Sequence, residues 1–187
     1  MSPQPVAVLV GPPASGKSTV MRNLARRLGV EGRDTDSDVE AATGLAVTTI
    51  FAAQGEPAFR ALERDAVAAA LVSHPGVLAL GGGAVLDPAT QARLAEYTAG
   101  GGIVVFLDVT RTHAARRLNG DTSRPLLAGD AMTRWDELMT ARRPVYEAVA
   151  SLRVTTDGNG PRRVVEEIVQ HIQRAQQDAA PRTEEDA

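Results

Sequence analysis

The chain is predicted to be an α/β protein, a five-stranded parallel sheet with helices on both faces, and three observations carry that reading. Five short strand-like runs alternate with helix-forming segments along the 187 residues, the pattern of a parallel sheet covered on both sides. The clearest run, Ile103-Val104-Val105-Phe106-Leu107, is apolar at every position, as a strand buried on both faces must be. The first run, Val6-Ala7-Val8-Leu9-Val10, leads into Gly11-Pro12-Pro13-Ala14-Ser15-Gly16-Lys17-Ser18-Thr19. That stretch has the pattern G-x-x-x-x-G-K-S between a strand and a helix over 19–28, the context of a phosphate-binding loop.

The loop explains its own residue types. Backbone N–H groups and the positive end of the helix dipole converge on a polyphosphate there, so residues 13–19 must let the backbone come close. Lys17 brings charge to the outer phosphates, and the Ser18 hydroxyl suits Mg²⁺.

Composition narrows the function. The length allows one domain with a sizeable core and leaves two full domains cramped. With 43% hydrophobic and 23% charged residues the chain has the balance of a soluble globular protein. Aromatics at 3% offer little for stacking single-stranded bases, and a net charge of −3 argues against a nucleic-acid surface. The absence of cysteine excludes disulfides, thiolate zinc sites and Cys nucleophiles. Met1-Ser2-Pro3-Gln4 lacks the basic start of a signal peptide and no run reaches the length of a membrane span. A cytoplasmic monomer without nucleic-acid or membrane partners is therefore expected.

After the first helix, residues 30–35 read as a short extended segment ending in Asp34-Thr35-Asp36-Ser37-Asp38, where Asp36 or Ser37 is expected to cap a helix through Thr43. A short helix over 48–54 closes at Gly55, and Glu56-Pro57 opens a longer one to about Val72, with Phe59, Leu62, Ala66, Ala69 and Ala70 as its apolar stripe. Val77-Leu78-Ala79-Leu80 is a buried strand running into Gly81-Gly82-Gly83. Helices are predicted over 88–97, 110–118 and 132–150, the last with Pro144 as a candidate kink; 151–155 is the fifth strand and 161–176 the last helix. The domain is expected to span 1–176, with an acceptor-binding region at about 36–72 and a polar lid at about 119–130. Residues 177–187 are expected to form a disordered acidic tail.

In such folds ligands gather at the carboxyl ends of the strands. That rule brings the loop, Asp34 to Asp36, the glycine triplet and Asp108 to one sheet edge. Asp36 can accept hydrogen bonds from hydroxyls or help take a proton from an attacking one, and Asp34 would face a metal; the plainer reading is a helix cap and a solvated turn. Arg60 and Arg142 are either carboxylate-binding arginines or ordinary surface ones. Asp108, at the end of an apolar strand, either supports a metal or caps the next helix, and the cap is favoured. Arg124-Pro125-Leu126-Leu127 puts an arginine in the lid, which would exclude water and neutralise the transferring group. His74, His113 and His171 have no ligand spacing and are expected on the surface, and Trp135 is expected to pack.

Together these stretches resemble the shikimate kinase family, from about Val6 to Ile172. The likeness rests on the loop, Asp34-Thr35-Asp36, Gly55-Glu56-x-x-Phe59-Arg60, Leu80-Gly81-Gly82-Gly83-Ala84, Arg124-Pro125-Leu126-Leu127 and Arg142-x-Pro144-x-Tyr146. The resemblance implies a phosphate-loop kinase fold and ATP-dependent phosphorylation of the 3-hydroxyl of shikimate with Mg²⁺, on the route to chorismate and the aromatic amino acids. It implies that Asp36, Arg60 and Arg142, with Gly81, Gly82 and Gly83, bind shikimate. Pro13, Ala14, Ser15, Gly16, Lys17, Ser18, Thr19, Arg117, Arg124 and Pro161 would bind ATP, with Arg117 stacking on the adenine. Lys17, Asp36 and Arg124 would be catalytic, and Ser18 and Asp34 would serve the metal. Ala14 stands where relatives often have glycine, which would stiffen the loop. Thr155 replaces a usual acidic residue, and Asp157-Gly158-Asn159 lacks an arginine found in some relatives, which leaves the adenine contact thinner.

Gluconate and nucleoside monophosphate kinases are the nearest alternatives, and an ATP-binding regulatory protein without turnover is the alternative from another class. The lid and acceptor residues argue against the last.

Overall fold

A computed structural model of the chain describes residues 4–118, 130–158 and 160–179. The elements run β1 (Ala7–Val10), α1 (Lys17–Leu28), β2 (Gly32–Asp34), α2 (Thr35–Thr43), α3 (Val47–Ser73), β3 (Val77–Ala79), α4 (Pro88–Ala99), β4 (Val104–Asp108), α5 (Arg111–Leu118), α6 (Ala131–Val149), β5 (Leu152–Thr155) and α7 (Pro161–Ala179). Five strands form one sheet in the order β2-β3-β1-β4-β5, and each neighbouring pair is parallel. β1 is central, with Leu9 opposite both Ala79 and Val105. The chain leaves it first towards β2 and returns later to β4. The loop after β1 therefore sits where the winding reverses, the crevice in which such sheets bind ligands.

Side-chain alternation along the strands divides the core into two layers. Val8, Val10, Leu78, Leu80, Val104 and Phe106 face one way, against Val67 and Leu71 of α3, Leu94 and Tyr97 of α4, and Trp135, Met139 and Tyr146 of α6. Ala7, Leu9, Val77, Ala79, Val105 and Leu107 face the other, against Val20, Met21 and Leu24 of α1 and Val164, Ile168 and Ile172 of α7. A third, small cluster of Val39, Ile50 and Phe59 belongs to α2 and α3 alone.

The two helices expected around Gly55 are present as one element broken at that residue, which has φ 81° and ψ 169°. Glycine adopts that left-handed conformation without the clash a Cβ would cause. Pro57 then lies in the first turn of the second segment, where it removes no helical hydrogen bond. α6 continues through Pro144. α7 runs to Ala179, so Gln177 and Asp178, read as tail, extend the helix. The rest of the expected tail, and 119–129 of the expected lid, lie outside the described residues.

His74 departs from expectation. It is buried, 6% exposed, at the end of α3, where its N–H donates to Ala70 and the chain turns towards β3. Trp135 packs as expected and also donates its indole N–H to the carbonyl of Pro13 at 3.1 Å. No helix among the described residues is long and apolar enough to cross a membrane.

Gly76, at the amino end of β3 and so on the sheet edge away from the phosphate loop, is closed to any side chain. A Cβ there would lie 1.9 Å from the carbonyl oxygen of Glu31 and 2.8 Å from His74 Nε2. Gly76→Ala is expected to cost about 1–3 kcal/mol by overpacking and to lower Tm by roughly 3–10 °C. Thermal melts beside steady-state kinetics check this: Tm falls while the Michaelis constants stay unchanged.

Candidate active site

The phosphate loop is pressed against the end of β4. A Cβ at Gly11 would lie 2.6 Å from the carbonyl oxygen of Leu107, so only glycine lets the loop start there. Gly16 precedes α1 with no side-chain cap, which leaves the first N–H groups of α1 to an anion. Lys17 Nζ donates to the carbonyls of Gly11 at 2.8 Å and Pro12 at 3.1 Å, holding the ammonium inside the loop. Ala14 has φ 66°, a left-handed conformation that is strained for a residue with a Cβ. The expected stiffness at this position is thus a strained backbone, and its carbonyl accepts Arg117 Nη1 at 2.9 Å.

Ser18 Oγ donates to Asp34 Oδ2 at 2.8 Å, and Asp34 Oδ1 accepts the N–H of Asp36 at 3.1 Å. Asp34 is therefore the cap of α2, rather than Asp36 or Ser37. Extended backbone at the last residue of β2 aims its carboxylate back over the first turn, the geometry a cap needs. Asp36 is freed to face the cavity of about 270 Å³ that it lines with Lys17, Ser18, Asp34, Gly82 and Arg117.

Burial, with repulsion from Asp34, raises the Asp36 carboxyl above its ordinary range, although Lys17 and Arg60 pull the other way. Arg60 Nη1 donates to Glu63 Oε2 at 2.6 Å, and its Nη2 to Glu56 Oε1 at 2.9 Å. Glu63 is 2% exposed. Desolvation raises its carboxyl too, against the attraction of Arg60.

The glycine triplet makes room for these charges. A Cβ at Gly81 would lie 2.2 Å from Glu63 Oε1 and 2.5 Å from Asp36 Oδ1, and one at Gly83 would lie 2.4 Å from Arg60 Nη1. Gly82 is different, because a Cβ there would meet Pro13 at an ordinary 3.5 Å. Its carbonyl is held by the hydroxyl of Tyr146 at 2.5 Å and by Arg142 Nη1 at 3.3 Å. Arg142 is 5% exposed, so it is no surface arginine. The N–H of Gly81 donates to the buried Thr35 Oγ1 at 3.0 Å. Asp36, Arg60 and Arg142, expected to act together, thus meet around residues 81–83, beside Lys17.

Sequence reasoning missed Glu63. Its signal was there: it stands four residues after Phe59 and three before Ala66, on the helix face of the apolar stripe, and an acid on a buried face needs a partner. Tyr146 was named only as part of the motif after Arg142, and no role was read for its hydroxyl or for the side chain of Thr156, because hydrogen-bonding groups of this kind leave no periodic trace.

On the nucleotide side, Arg117 bridges loop and sheet. Besides Ala14, it donates from Nη1 to Thr156 Oγ1 at 3.0 Å and from Nη2 to the carbonyl of Thr156 at 2.8 Å. With Ser15, Gly16, Thr19, Thr156 and Pro161 it lines a second cavity of about 270 Å³. Thr155 is exposed beside it. Asp157 accepts the N–H of Thr110 at 3.0 Å, before α5. Asp108, favoured for that cap, instead accepts Arg143 and Arg153. Charge-assisted bonds from two guanidinium groups outweigh a single backbone donor, and they also occupy the carboxylate that a metal would need. His113 and His171 are partly exposed. Arg124 and Asn159 lie outside the described residues.

A family model described as shikimate kinase matches residues 13–173. A shikimate kinase of Thermobifida fusca is 48% identical over 175 residues, covering 94% of this chain and 99% of that one. Another, of Salinispora arenicola, is 52% identical over 164 residues, covering 88% and 95%. The solved shikimate kinase of Acinetobacter baumannii in complex with shikimate has a TM-score of 0.85 at 32% identity, covering 91% of this chain and 93% of that one. A gluconokinase of Sinorhizobium meliloti, at 18% identity and a TM-score of 0.56, shares the fold alone. With a family model matched over residues 13–173 and relatives about half identical over most of its length, the chain belongs to the shikimate kinase family.

Proposed function

We infer that the chain, as a member of that family, catalyses transfer of the γ-phosphoryl group of ATP to the 3-hydroxyl of shikimate, giving shikimate 3-phosphate in the pathway to aromatic amino acids. The observation that carries the assignment of residues is the convergence of Asp36, Arg60 and Arg142 on residues 81–83, beside Lys17. The two guanidinium groups take the shikimate carboxylate, and Asp36 takes ring hydroxyls and orients the attacking one. The N–H groups of residues 13–19, at the start of α1, cradle the phosphates. Lys17 exchanges its loop carbonyls for the outer phosphates, and Arg124, outside the described residues, keeps the charge-neutralising role that the family resemblance gives it. Thr19, Arg117 and Pro161 border the adenine cavity, with Arg117 presenting its guanidinium plane to the base.

The donor set fits Mg²⁺. Ser18 Oγ and Asp34 Oδ2, 2.8 Å apart at the loop, would hold it, the hydroxyl directly and the carboxylate through water, as suits an ion that dehydrates reluctantly. When bound there it would neutralise charge on the phosphates. Little covalent chemistry is left to the protein, so position and charge set the rate. The enzyme works as a monomer in the cytoplasm, without nucleic-acid or membrane partners.

ADP release measured against shikimate, gluconate and AMP tests the substrate: turnover with shikimate alone is expected, and turnover with another acceptor alone refutes it. Lys17→Met is expected to lower kcat by roughly a hundredfold or more. Arg60→Ala and Arg142→Ala are expected to raise the shikimate KM while the ATP KM holds, read by varying each substrate in turn.

Asp36 gives a prediction with two signs. The folded protein holds its proton more tightly than the unfolded chain does. Its contribution to stability therefore falls as pH rises from the ordinary carboxylate range through the raised value, and at neutral pH the ionised group is a net cost. Asp36→Asn should raise Tm at neutral pH while lowering kcat/KM by about a hundredfold or more. Melts at two pH values check this, since the gain should shrink in acid.

A further inference from the structure

Asp108 is buried, 7% exposed, and both its oxygens are occupied by arginines from other elements. Arg143 of α6 grips it with two bonds, Nη1 to Oδ2 at 2.9 Å and Nη2 to Oδ1 at 2.8 Å. Arg153 of β5 adds Nε to Oδ2 at 3.0 Å and a further bond from Nη2 at 2.5 Å. Burial alone would raise the carboxyl, but the bonds from Arg143 and Arg153 hold it below its ordinary range, as an anion. Glu147 faces the same arginines, 3.6 Å from Arg143 and 3.4 Å from Arg153.

The neighbour of Arg143 gives this pair its meaning. Arg142 and Arg143 stand about 100° apart around α6, and each is held at the end of a different strand. Arg142 reaches the carbonyl of Gly82 beyond β3, and Arg143 reaches Asp108 at the end of β4. Two such attachments fix the rotation of a helix about its axis in a way that apolar packing alone does not. Tyr146, one turn on, stacks on Phe106 with ring centroids 5.2 Å apart and shares the Gly82 carbonyl. Any turn of α6 therefore moves Arg142 and the Tyr146 hydroxyl away from Gly82 together.

We propose that Asp108 is a positioning residue for the acceptor: by gripping Arg143 it sets the rotation of α6, so that Arg142 meets the shikimate carboxylate. The proposal rests on the reading of Arg142 as a shikimate ligand. Only the side chain of Asp108 is involved. Its carbonyl accepts the N–H of Thr156 at 2.8 Å, on the nucleotide side, and a side-chain substitution leaves that bond in place.

Steady-state kinetics and thermal melts on the full chain decide the matter. Asp108→Asn and Arg143→Gln should each raise the shikimate KM about tenfold while the ATP KM stays within about twofold, and the double variant should be no worse than either, because one link is broken in all three. Arg153→Gln removes a partner of Asp108 that comes from β5 and touches α6 only through the exposed Glu147, at 3.4 Å, and should lower Tm without moving the shikimate KM. An unchanged shikimate KM in Asp108→Asn, or a rise equal for both substrates, overturns the proposal. So does a rise in Arg153→Gln as large as that in Asp108→Asn, which would mark the cluster as merely structural. Should Asp108→Asn fail to fold, Arg143→Gln decides by the same criterion. Arg142→Ala separates the two levels: if it leaves the shikimate KM unchanged, the reading of the site falls and this proposal with it; if it raises KM while Asp108→Asn does not, this proposal alone falls.

Discussion

A carboxylate taken out of water must find a cation close by or give up its charge, and the acceptor corner is built around that constraint. Asp36 and Glu63 have oxygens within 2.5 Å of the same point above Gly81, so each is desolvated and each repels the other. Arg60 is clamped between Glu56 and Glu63 to compensate. No side chain can stand at Gly81 or Gly83 without displacing these groups. On the function proposed above, the glycine triplet makes room for these charged groups where a hydroxylated acid binds. Such a cluster costs stability, and a binding site can bear that because its substrate brings the hydroxyls and the carboxylate that complete it.

The nucleotide side obeys a different physics. There the ligand is met by backbone, and the chain spends its side chains on shaping that backbone. Gly11 abuts Leu107, Trp135 holds the carbonyl of Pro13, and Arg117 holds that of Ala14. These ties come from β4, α6 and α5, and α6 also reaches the acceptor corner through Arg142. The left-handed Ala14 persists in this setting because its neighbours determine its conformation.

Much of this was legible in the sequence. The apolar runs of β1, β3 and β4 and the loop pattern gave the central strands, the parallel topology and the edge at which the site forms, because burial on two faces leaves a continuous apolar signature. β2, Gly32-Arg33-Asp34, and β5 stand at the two partly exposed sheet edges and were read only from their place between helices. Asp36, Arg60 and Arg142 stand around residues 81–83, while the motif at 124–127 lies outside the described residues. What escaped was the pairing of charges. Asp34 and Asp36 are equally good caps on paper, and only the backbone angle at the end of β2 decides between them. Asp108 reads as a cap until the fold brings Arg143 and Arg153 to it from 35 and 45 residues away. The place of Glu63 on the apolar stripe announced its burial, but not the glycines that pass beneath it. Pro75-Gly76 announced the turn after α3, but not that it buries His74.

The break at Gly55 bears on how such an enzyme could diversify. It divides α3 so that the stretch before it, with α2, closes on an apolar knot of Val39, Ile50 and Phe59 that shares no buried residue with either face of the sheet. Changes within that flap that spare Thr35, whose hydroxyl holds the N–H of Gly81, leave the strands and their packing undisturbed. The surface presented to the acceptor can therefore be rewritten piecemeal, while the apparatus that grips the triphosphate is inherited intact.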